Sequence, residues 1–499
     1  MRPPNLIARS LPLLAERHGG AVWLVGGWVR DQLLARETHD LDFVVPHGAV
    51  ATARTIANAL DGSFVLLDEE RDTARVVFGP PQQPTYLDLA GLRAPNIEAD
   101  LLDRDFTINA MAVPASRWQD FEGVLIDPSG GRRDLELGLV RAVSREAFRA
   151  DPLRMVRGVR LIALLGFDLE RRTADWIRDD AGLLVTVSRE RVRDELLQIL
   201  GLPEARRSLW LLEGLGLLER ILPELAALRT VPARGAGDSS TLAHSFAVVD
   251  TVESICGWLQ GEPPEEPDGV GWMLASALNP YRTRLADHLA EVLPGGHTAG
   301  LMLAVAALLH DLGQAAPAHV QVPQEGRVLG HEVLGASLVA TAMRRLCFSG
   351  AEIQRVRQTV ASHPRPRQLA AESGGQPSSR KVYRFFRDAG SSGPDTILLS
   401  LADHQAVEGY APSNEDWRRH LALTRALLEA YYERRRDVVE PPAIVDGHDL
   451  MSSLDLPPGP EIGGLLESIR EAQAAGEVRS RDEAVELARR LLEKGHPTR

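Results

Sequence analysis

The sequence predicts a mixed α/β domain followed by a long all-helical region, and two patterns support this division. Residues 1 to about 140 alternate short apolar runs of strand character with short helices. From Arg141 onward, apolar residues recur at helical spacing, for example over 153–165 and 192–200, and turn residues such as Gly166 separate the periodic segments. We therefore expect a head that contains a sheet, with several helical domains after it.

The composition is typical of a globular protein with several domains. The chain has 499 residues, of which 44% are hydrophobic, 5% aromatic and 25% charged. No apolar run reaches the roughly 20 residues that a membrane-spanning helix requires, and no small-residue cleavage site follows the N-terminus. We therefore expect a cytoplasmic protein without a membrane partner. Cys256 and Cys347 lack metal-ligand spacing, and nothing in the sequence indicates an oligomeric state.

Charge is distributed unevenly along the chain. The net charge of −13 argues against sequence-blind binding of nucleic acid. Residues 141–193 nevertheless contain twelve arginines against eight acidic residues. This segment is either a local surface for an RNA backbone or an ordinary set of solvated helices.

Two aspartates and a glycine pair mark the first candidate site. Asp40 and Asp42 alternate with the apolar Leu41, so in a strand both carboxylates project to one face. Two carboxylates on one face repel unless cations bind between them, and hard oxygen ligands suit Mg²⁺. Upstream, Gly26 and Gly27 are predicted to form a turn whose free amide groups can bind a phosphate. The alternative is a solvated loop with a chance carboxylate pair.

A further strand is predicted at residues 85–90. Its alternation places Asp88 on one face. There the carboxylate either completes the metal site as a third acidic ligand or faces solvent at the end of the strand.

Four segments, in this order, resemble the motifs of the class II tRNA nucleotidyltransferase and poly(A) polymerase family, within the DNA polymerase beta-like superfamily. They are residues 25–45, 104–111, 151–160 and 188–195. The resemblance implies a polymerase beta-like α/β nucleotidyltransferase head with a mixed sheet, in which Asp40 and Asp42 are catalytic and bind Mg²⁺. It also implies that the last of these segments is a helix that braces the third.

The resemblance assigns nucleotide-binding roles to a larger set of residues. The glycine turn and Arg30 would bind the triphosphate, and Asp105 the ribose. The full set implied is Gly26, Gly27, Arg30, Asp31, Arg104, Asp105, Asn109, Asp151, Arg154, Arg157 and Arg160. The chain departs from the usual family pattern at Asp103, where an arginine is common, and at Ala150, where a glutamate is common.

Asp151 and Arg154 could select the incoming base by their hydrogen-bonding groups. At a spacing of three on one helix, they would share a face. Aspartate accepts hydrogen bonds and arginine donates them, so the pair matches cytosine and adenine and mismatches guanine and uracil. Each good bidentate contact is worth on the order of 1–3 kcal/mol. The alternative is a surface ion pair between the two side chains.

A second candidate site lies in the helical region. His310-Asp311 follows the apolar helix predicted at residues 301–309, and charged groups at the end of a buried helix require a partner or a metal. The order of His244, His310-Asp311, His331, His363 and Asp403 resembles the HD-superfamily metal phosphohydrolases.

This second resemblance implies one divalent ion at His244, His310, Asp311 and Asp403, and a second one recruited by His331 and His363. The metal, whether Mg²⁺, Mn²⁺ or an Ni²⁺-like ion, is not specified. Gln314 stands where many relatives have a lysine. A set of hydrogen-bonded core histidines is the alternative.

The predicted domains are a head over residues 1–140, a helical neck and body over 141–230, an HD domain over 241–410 and a helical tail over 411–499. A linker is predicted at 230–240 and exposed loops at 261–267 and 372–379. A helical pair is predicted at 467–492, either to contact RNA or to pack on the protein.

The function implied is template-independent addition of nucleotides to an RNA 3′ end, namely building or repair of the CCA terminus of tRNA from CTP and ATP by two-metal-ion phosphoryl transfer. Poly(A) polymerase activity, or addition of CC or of A alone, remains open because the family shares these motifs. A separate hypothesis places the main activity in the HD centre, as a phosphodiesterase or phosphatase acting on nucleotides or RNA ends.

Overall fold

The computed structural model describes residues 3–80, 84–233, 240–261, 269–315, 323–324, 327–328, 331–408 and 415–493. The chain divides into two compact units. The first comprises Met1–Leu202 and Leu211–Ile221, and the second comprises Pro203–Trp210 and Leu222–Arg499. Most of the predicted linker (residues 234–239) and of the predicted loop at 261–267 lies outside the described residues.

The head of the first unit is built on a six-stranded sheet. Its strands are β1 (Trp23–Val25), β2 (Asp40–Val45), β3 (Ser63–Asp68), β4 (Thr73–Phe78), β5 (Thr85–Gly91) and β6 (Ala112–Pro114). Its helices are α1 (Pro3–His18), α2 (Gly27–Leu33), α3 (Ala49–Leu60), α4 (Ile97–Leu102) and α5 (Gly131–Glu136).

The sheet is mixed, as the sequence predicted. The strand order is β3-β4-β5-β2-β1-β6, with β2 parallel to β5 and the other neighbours antiparallel. In β2, Leu41 is buried whereas Asp40 is exposed and Asp42 partly exposed, which confirms the predicted alternation. Asp88 pairs in register with Asp42 on one side and with Arg75 on the other. These three side chains therefore lie in one row on one face of the sheet.

The neck consists of short helices packed on one another. It contains β7 (Leu139–Val140), α6 (Glu146–Ala150), α7 (Leu153–Leu165), β8 (Asp168–Leu169), α8 (Arg171–Asp180) and α9 (Arg189–Leu200). Helix α7 covers the predicted segment 153–165 and ends at Gly166, whose φ of 71° is a conformation that glycine adopts without strain. Helices α10 (Ala205–Gly214) and α11 (Leu218–Ile221) follow along the chain.

The regular elements in the described part of the second unit are helices and two short strands, β9 (Pro323–Gln324) and β10 (Arg327–Val328). Its helices are α12 (Thr241–Gln260), α13 (Gly269–Leu278), α14 (Arg282–Ala290), α15 (Ala299–Leu309), α16 (His331–Arg345), α17 (Gly350–Ser362), α18 (Arg365–Ser373), α19 (Ser379–Ala389), α20 (Gly393–Glu408), α21 (Glu415–Glu433), α22 (Gly447–Leu454), α23 (Pro460–Ala474) and α24 (Arg481–Glu493). No helix among the described residues is both long and apolar enough to cross a membrane.

The C-terminal helices α22 to α24 form a small core of their own. Leu450, Ile462, Ile469 and Ala488 belong to one buried cluster whose members all lie beyond residue 443. This core meets α19 through ion pairs, among them Arg384 with Glu471 at 2.6 Å and Arg387 with Glu467 at 3.0 Å. The predicted helical pair at 467–492 is present as α23 and α24.

One glycine of the head is required by a close backbone approach. A Cβ atom at Gly131, the first residue of α5, would lie 2.1 Å from the carbonyl oxygen of Thr107. Gly182, in the neck, has nothing within 4 Å of its Cβ position.

We therefore expect Gly131→Ala to destabilise the protein and Gly182→Ala to leave its stability nearly unchanged. Relief of the clash requires a backbone shift, and overpacking typically costs about 1–3 kcal/mol. Urea unfolding followed by circular dichroism measures both changes. Equal stabilities of the two variants would contradict this role of Gly131.

Candidate active site and candidate metal centre

Three carboxylates converge on one face of the head sheet. Asp40 and Asp42 alternate on β2, and Asp88 stands beside Asp42 on β5. Burial is the largest cause that raises the pKa of Asp42, to about 6, and the neighbouring charge of Asp88 raises it further. The pKa of Asp40 is also raised, first by burial. Carboxylates that are hard to ionise because they are crowded and desolvated are suited to bind a cation.

Asp88 itself is held by an arginine that the sequence analysis did not single out. Nε and Nη2 of Arg75 donate to the two carboxylate oxygens of Asp88, each at 2.8 Å. The only sequence signal for this residue is its polar position in β4, where Ala74 and Val76 on either side are buried.

The glycine turn lies directly beside Asp42. Gly26 has φ 67° and ψ −134°, and a Cβ atom there would lie 3.1 Å from Oδ2 of Asp42 and 3.4 Å from Nη1 of Arg104. The positive φ therefore favours glycine, and a Cβ atom there would crowd the carboxylate of Asp42. Gly27 is the first residue of α2, so the predicted two-glycine turn is wrong in this detail.

Arg104 points its guanidinium into this crowded region. Its Nη2 lies 3.4 Å from Oδ2 of Asp100, and its positive charge lowers the pKa of Asp42 against the larger effect of burial. Nε of Arg104 is buried and has no hydrogen-bond partner among the described residues. A buried donor without a partner favours an anion at this position.

Arg30, Asp31 and Asn109 form a buried brace behind the turn. Arg30 donates from Nε to Asp31 Oδ1 at 2.8 Å and from Nη1 to Asn109 Oδ1 at 2.9 Å. Only 7% of Arg30 is exposed. These contacts tie α2 to the turn at residues 107–109, so the three residues fix the glycine turn in place.

Residues 103–105 connect the head to the neck. The carbonyl oxygen of Asp103 accepts a hydrogen bond from Nη1 of Arg154 at 3.2 Å. Oδ2 of Asp105 lies 3.6 Å from Nη1 of Arg157. Arg104, between them, faces Gly26 and Asp42. One short segment thus fixes α7 relative to the carboxylates of the sheet.

Asp151 does not lie on the same helix as Arg154, and the prediction that they share a helical face is wrong. Asp151 has an extended backbone (φ −146°, ψ 96°) and precedes α7. Pro152 follows it, and a proline disfavours helical conformation in the residue before it. Asp151 instead accepts a hydrogen bond from the backbone of Leu153 and pairs with Arg191 at 2.8 Å. Asp151 and Arg154 are therefore not paired with each other.

Helix α9 braces α7 through Glu195, as its motif implied. Oε1 of Glu195 accepts from Nε of Arg157 at 3.3 Å, and Oε2 accepts from Nε of Arg160 at 2.7 Å. Only 5% of Glu195 is exposed. Arg157 is therefore held between Glu195 and Asp105.

A cavity of about 1010 Å³ opens between the head and the neck within the first unit. Its lining includes Asp151, Arg154, Arg157 and the glycine that ends β5, Gly91. Asp40 and Asp42 do not line it. Arg71, Arg93, Arg149 and Arg191 add positive charge to the wall, so the cavity suits a polyanion that carries a planar base.

The second cluster combines three histidines and two aspartates from four helices. His244 lies in α12, His310 and Asp311 directly after α15, His363 directly after α17, and Asp403 in α20. Nε2 of His244 lies 2.9 Å from Oδ1 of Asp403, and Nε2 of His310 lies 3.3 Å from Oδ2 of Asp311. Two overlapping groups have ligand atoms within 4.8 Å of one another: His244, His310 and Asp403, and His310, Asp311 and His363.

Two of these histidines are oriented by the same local contact. Nδ1 of His310 lies 2.8 Å from the carbonyl oxygen of Ala307, and Nδ1 of His363 lies 2.7 Å from that of Val360. A carbonyl only accepts, so Nδ1 carries the proton and Nε2 faces the cluster. This is the arrangement expected of metal-binding histidines.

The charged groups of the cluster stabilise one another. Burial lowers the pKa of His310, but the carboxylates of Asp311 and Asp403 outweigh it and raise the pKa to about 9. Burial opposes ionisation of Asp403, yet its hydrogen bond to His244 and the other nearby histidines lower its pKa to about 2. The pKa of Asp311 is also lowered, chiefly by His310 against burial, and the Gln314 side chain contributes a hydrogen bond. The side chain of His331 lies outside the described part of the structure.

The raised pKa of Asp42 predicts a pH-dependent cost to stability. The folded state binds this proton more tightly than the unfolded chain, so the carboxyl lowers stability as the pH rises from about 4 to about 6, and the cost is complete above that range. In EDTA at pH 8, Asp42→Asn should therefore stabilise the protein by about 1–3 kcal/mol.

Urea unfolding between pH 5 and pH 8 measures this gain, which should shrink toward the acidic end. The exposed Asp175 provides the control, since Asp175→Asn should show no such trend. A gain for Asp42→Asn that is independent of pH would contradict the prediction.

Comparison with known proteins gives three matches to family models. Residues 22–141 match the family described as Poly A polymerase head domain, residues 166–228 match "Probable RNA and SrmB- binding site of polymerase A", and residues 283–406 match the HD domain.

Relatives match over nearly the whole chain. The CC-adding tRNA nucleotidyltransferase of Geobacter sulfurreducens is 35% identical and covers 99% of both chains. The A-adding tRNA nucleotidyltransferase of Deinococcus radiodurans is 34% identical and covers 97% of this chain and 99% of its own. A solved CCA-adding enzyme in its apo form has the same fold, with a TM-score of 0.62 at 21% identity over 98% of this chain and 94% of that one. The chain therefore belongs to the tRNA nucleotidyltransferase family of enzymes.

Proposed function

We propose that this protein adds nucleotides to the 3′ end of tRNA, in building or repair of its CCA terminus from CTP and ATP. The observation that carries this proposal is the row of carboxylates on β2 and β5, with the glycine turn at Gly26 and the guanidinium of Arg104 beside Asp42. In this proposal, residues 1–140 are the catalytic head and 141–230 the neck and body that bind base and RNA. Residues 241–410 are the HD domain and 411–499 the tail.

The residues of the head fit a divalent metal such as Mg²⁺. Asp40 and Asp42 would bind it, because they offer hard oxygen ligands whose ionisation is disfavoured without a cation. A metal held by these carboxylates would supply activation of an attacking hydroxyl and stabilisation of the charge on the transferring phosphate.

The rest of the site would hold the nucleotide. The amide groups at Gly26 and Gly27 lie at the start of α2, where a phosphate is stabilised by the helix N-terminus. Arg104 would pair with the triphosphate, since its Nε has no partner among the described residues. Arg30, with Asp31 and Asn109, would act indirectly by fixing this turn.

The base would be read at the cavity between head and neck. Arg154 is anchored there by the carbonyl oxygens of Asp103 and Ala147, and Asp151 is anchored by Arg191. Both would present fixed hydrogen-bonding atoms to a planar base. Asp105, with Arg157 and Arg160 behind it, would contact the ribose.

Which nucleotides are added is left open by these features. The two relatives that match nearly end to end are named for addition of CC and of A, so an enzyme restricted to one of these steps is the second candidate. Poly(A) polymerase activity is the third.

The deciding experiment offers tRNA transcripts that end before C, after CC and after CCA to the purified protein, with Mg²⁺ and CTP, ATP or both. Extension should stop at or before CCA and should fall on the order of 10³-fold in Asp42→Asn, because the metal site loses a charged ligand. Asp311→Asn is the matched control and should retain extension.

Each outcome has one interpretation. Products ending at CC identify a CC-adding enzyme, A added only to CC ends identifies an A-adding enzyme, and unlimited A addition identifies a poly(A) polymerase. Absence of addition on every end would overturn the proposal in favour of the HD centre as a phosphodiesterase or phosphatase.

For the second cluster we propose a divalent metal site at His244, His310, Asp311, His363 and Asp403, with His331 as a further candidate ligand. The Nε2 atoms that face the cluster and the buried carboxylates support it. His310→Ala should therefore lower the metal content of the purified protein, measured by plasma mass spectrometry after incubation with Mn²⁺ or Ni²⁺.

The exposed His448-Asp449 pair offers the control, because it repeats the dipeptide without a buried cluster. His448→Ala should retain the metal. Equal metal content in the two variants would contradict the site.

A further inference from the structure

We infer that Arg75 is a positioning residue of the nucleotidyl-transfer site. By holding Asp88 in place and offsetting its charge, it sets how strongly a divalent metal binds at Asp40 and Asp42. This inference deepens the proposed function and rests on it.

The sheet register brings Arg75 to the metal carboxylates from two strands away. Asp88 is the in-register neighbour of Arg75 on β4 and of Asp42 on β2. In-register side chains project from the same face of a sheet, so the order across that face is Arg75, Asp88, Asp42. Arg75 thus lies at the end of this row, next to the two aspartates.

The guanidinium is fixed in this position by two kinds of contact. It binds both oxygens of Asp88 at 2.8 Å, a bidentate geometry that restrains both partners. Its central carbon also lies 4.6 Å from the ring centroid of Tyr86, which is the in-register partner of Asp40. Arg75 therefore touches the β5 neighbour of each metal-binding aspartate.

The contact between Arg75 and Asp88 changes the charge balance of the site. Asp40, Asp42 and Asp88 carry three negative charges when ionised, and Arg75 and Arg104 carry two positive ones. The guanidinium of Arg75 brings its positive charge next to this acidic group, because it binds Asp88, the in-register neighbour of Asp42. The same positive charge must weaken the attraction of a cation to the pair. Metal binding then depends on the negative charge that a nucleoside triphosphate brings.

The contact is poorly explained as a device for stability alone. The side chains of Arg75 and Asp88 are 37% and 24% exposed, and ion pairs at such positions contribute little to folding. A structural pair would also not need to lie next to Asp42. Its position beside the catalytic carboxylates favours a role in their chemistry.

The test is Mn²⁺ binding to the full-length protein, followed by electron paramagnetic resonance. Wild type, Arg75→Gln and Arg75→Lys are compared, each with and without Asp42→Asn, so that only binding that depends on Asp42 is assigned to the head. Arg75→Gln should tighten this binding on the order of tenfold, because one positive charge is lost. Arg75→Lys keeps the charge and should stay within about twofold of wild type.

Nucleotide addition provides the second readout. Both variants should show a lower kcat at saturating metal with little change in the KM for CTP or ATP, because neither side chain holds both oxygens of Asp88. An unchanged Mn²⁺ affinity in Arg75→Gln, even with a lower melting temperature, would mean a merely structural pair and would overturn the inference.

Loss of the role of Arg75 and loss of the proposed function give different results. If wild type adds nucleotides in a manner that depends on Asp42 while Arg75→Gln binds Mn²⁺ as wild type does, only the role of Arg75 is wrong. If Asp42→Asn retains addition, the proposed function is wrong and the inference falls with it.

Discussion

The crowding of three carboxylates on one face of the head sheet is the constraint on which the candidate active site depends. Asp42 and Asp88 are in-register neighbours, Asp40 is two residues away on the same strand, and burial raises the pKa of both β2 aspartates. Such a group is costly to fold unless positive charge is nearby. Arg104 supplies this positive charge from one side and Arg75 from the other. A bound metal ion would supply the rest.

The need for positive charge near the carboxylates also accounts for the position of the contact between the head and the neck. In residues 103–105, Arg104 lies beside Gly26 and Asp42. The residues on either side of it bind Arg154 and Arg157 of the neck. Glu195 on α9 then fixes Arg157 and Arg160. One continuous chain of contacts therefore joins the residues that are proposed to bind the nucleotide phosphates and the base. Such a chain suits catalysis that consists mostly of orientation and charge stabilisation.

The HD cluster reaches a metal-binding arrangement by a different route. His310 and His363 each follow the end of a helix, and each donates a hydrogen bond from Nδ1 to the carbonyl oxygen three residues earlier. The same local geometry therefore orients Nε2 of both histidines toward the carboxylates, and no specialised loop is needed. The head relies on strand register, whereas the HD domain relies on helix ends. In the head, burial disfavours the ionised carboxylates, whereas in the HD cluster the neighbouring histidines stabilise them.

The sequence by itself determined the features that depend on local periodicity and residue type. The mixed head, the alternation of Asp40 and Asp42, the extent of α7 and the helix before His310 all follow from side-chain period and turn residues, because these act over a few neighbouring residues. The motif order also identified the family.

Tertiary structure decided the contacts between distant segments. Only strand pairing shows that Asp88 stands beside Asp42 and that Arg75 holds it, and only helix packing shows Glu195 against Arg157. Local reasoning failed at Asp151, where Pro152 prevents the helix from starting earlier and Arg191 becomes the partner. The physical reason is the same in each case: register and packing join residues far apart in sequence, and their positions are set by burial of the whole core, which no short pattern records.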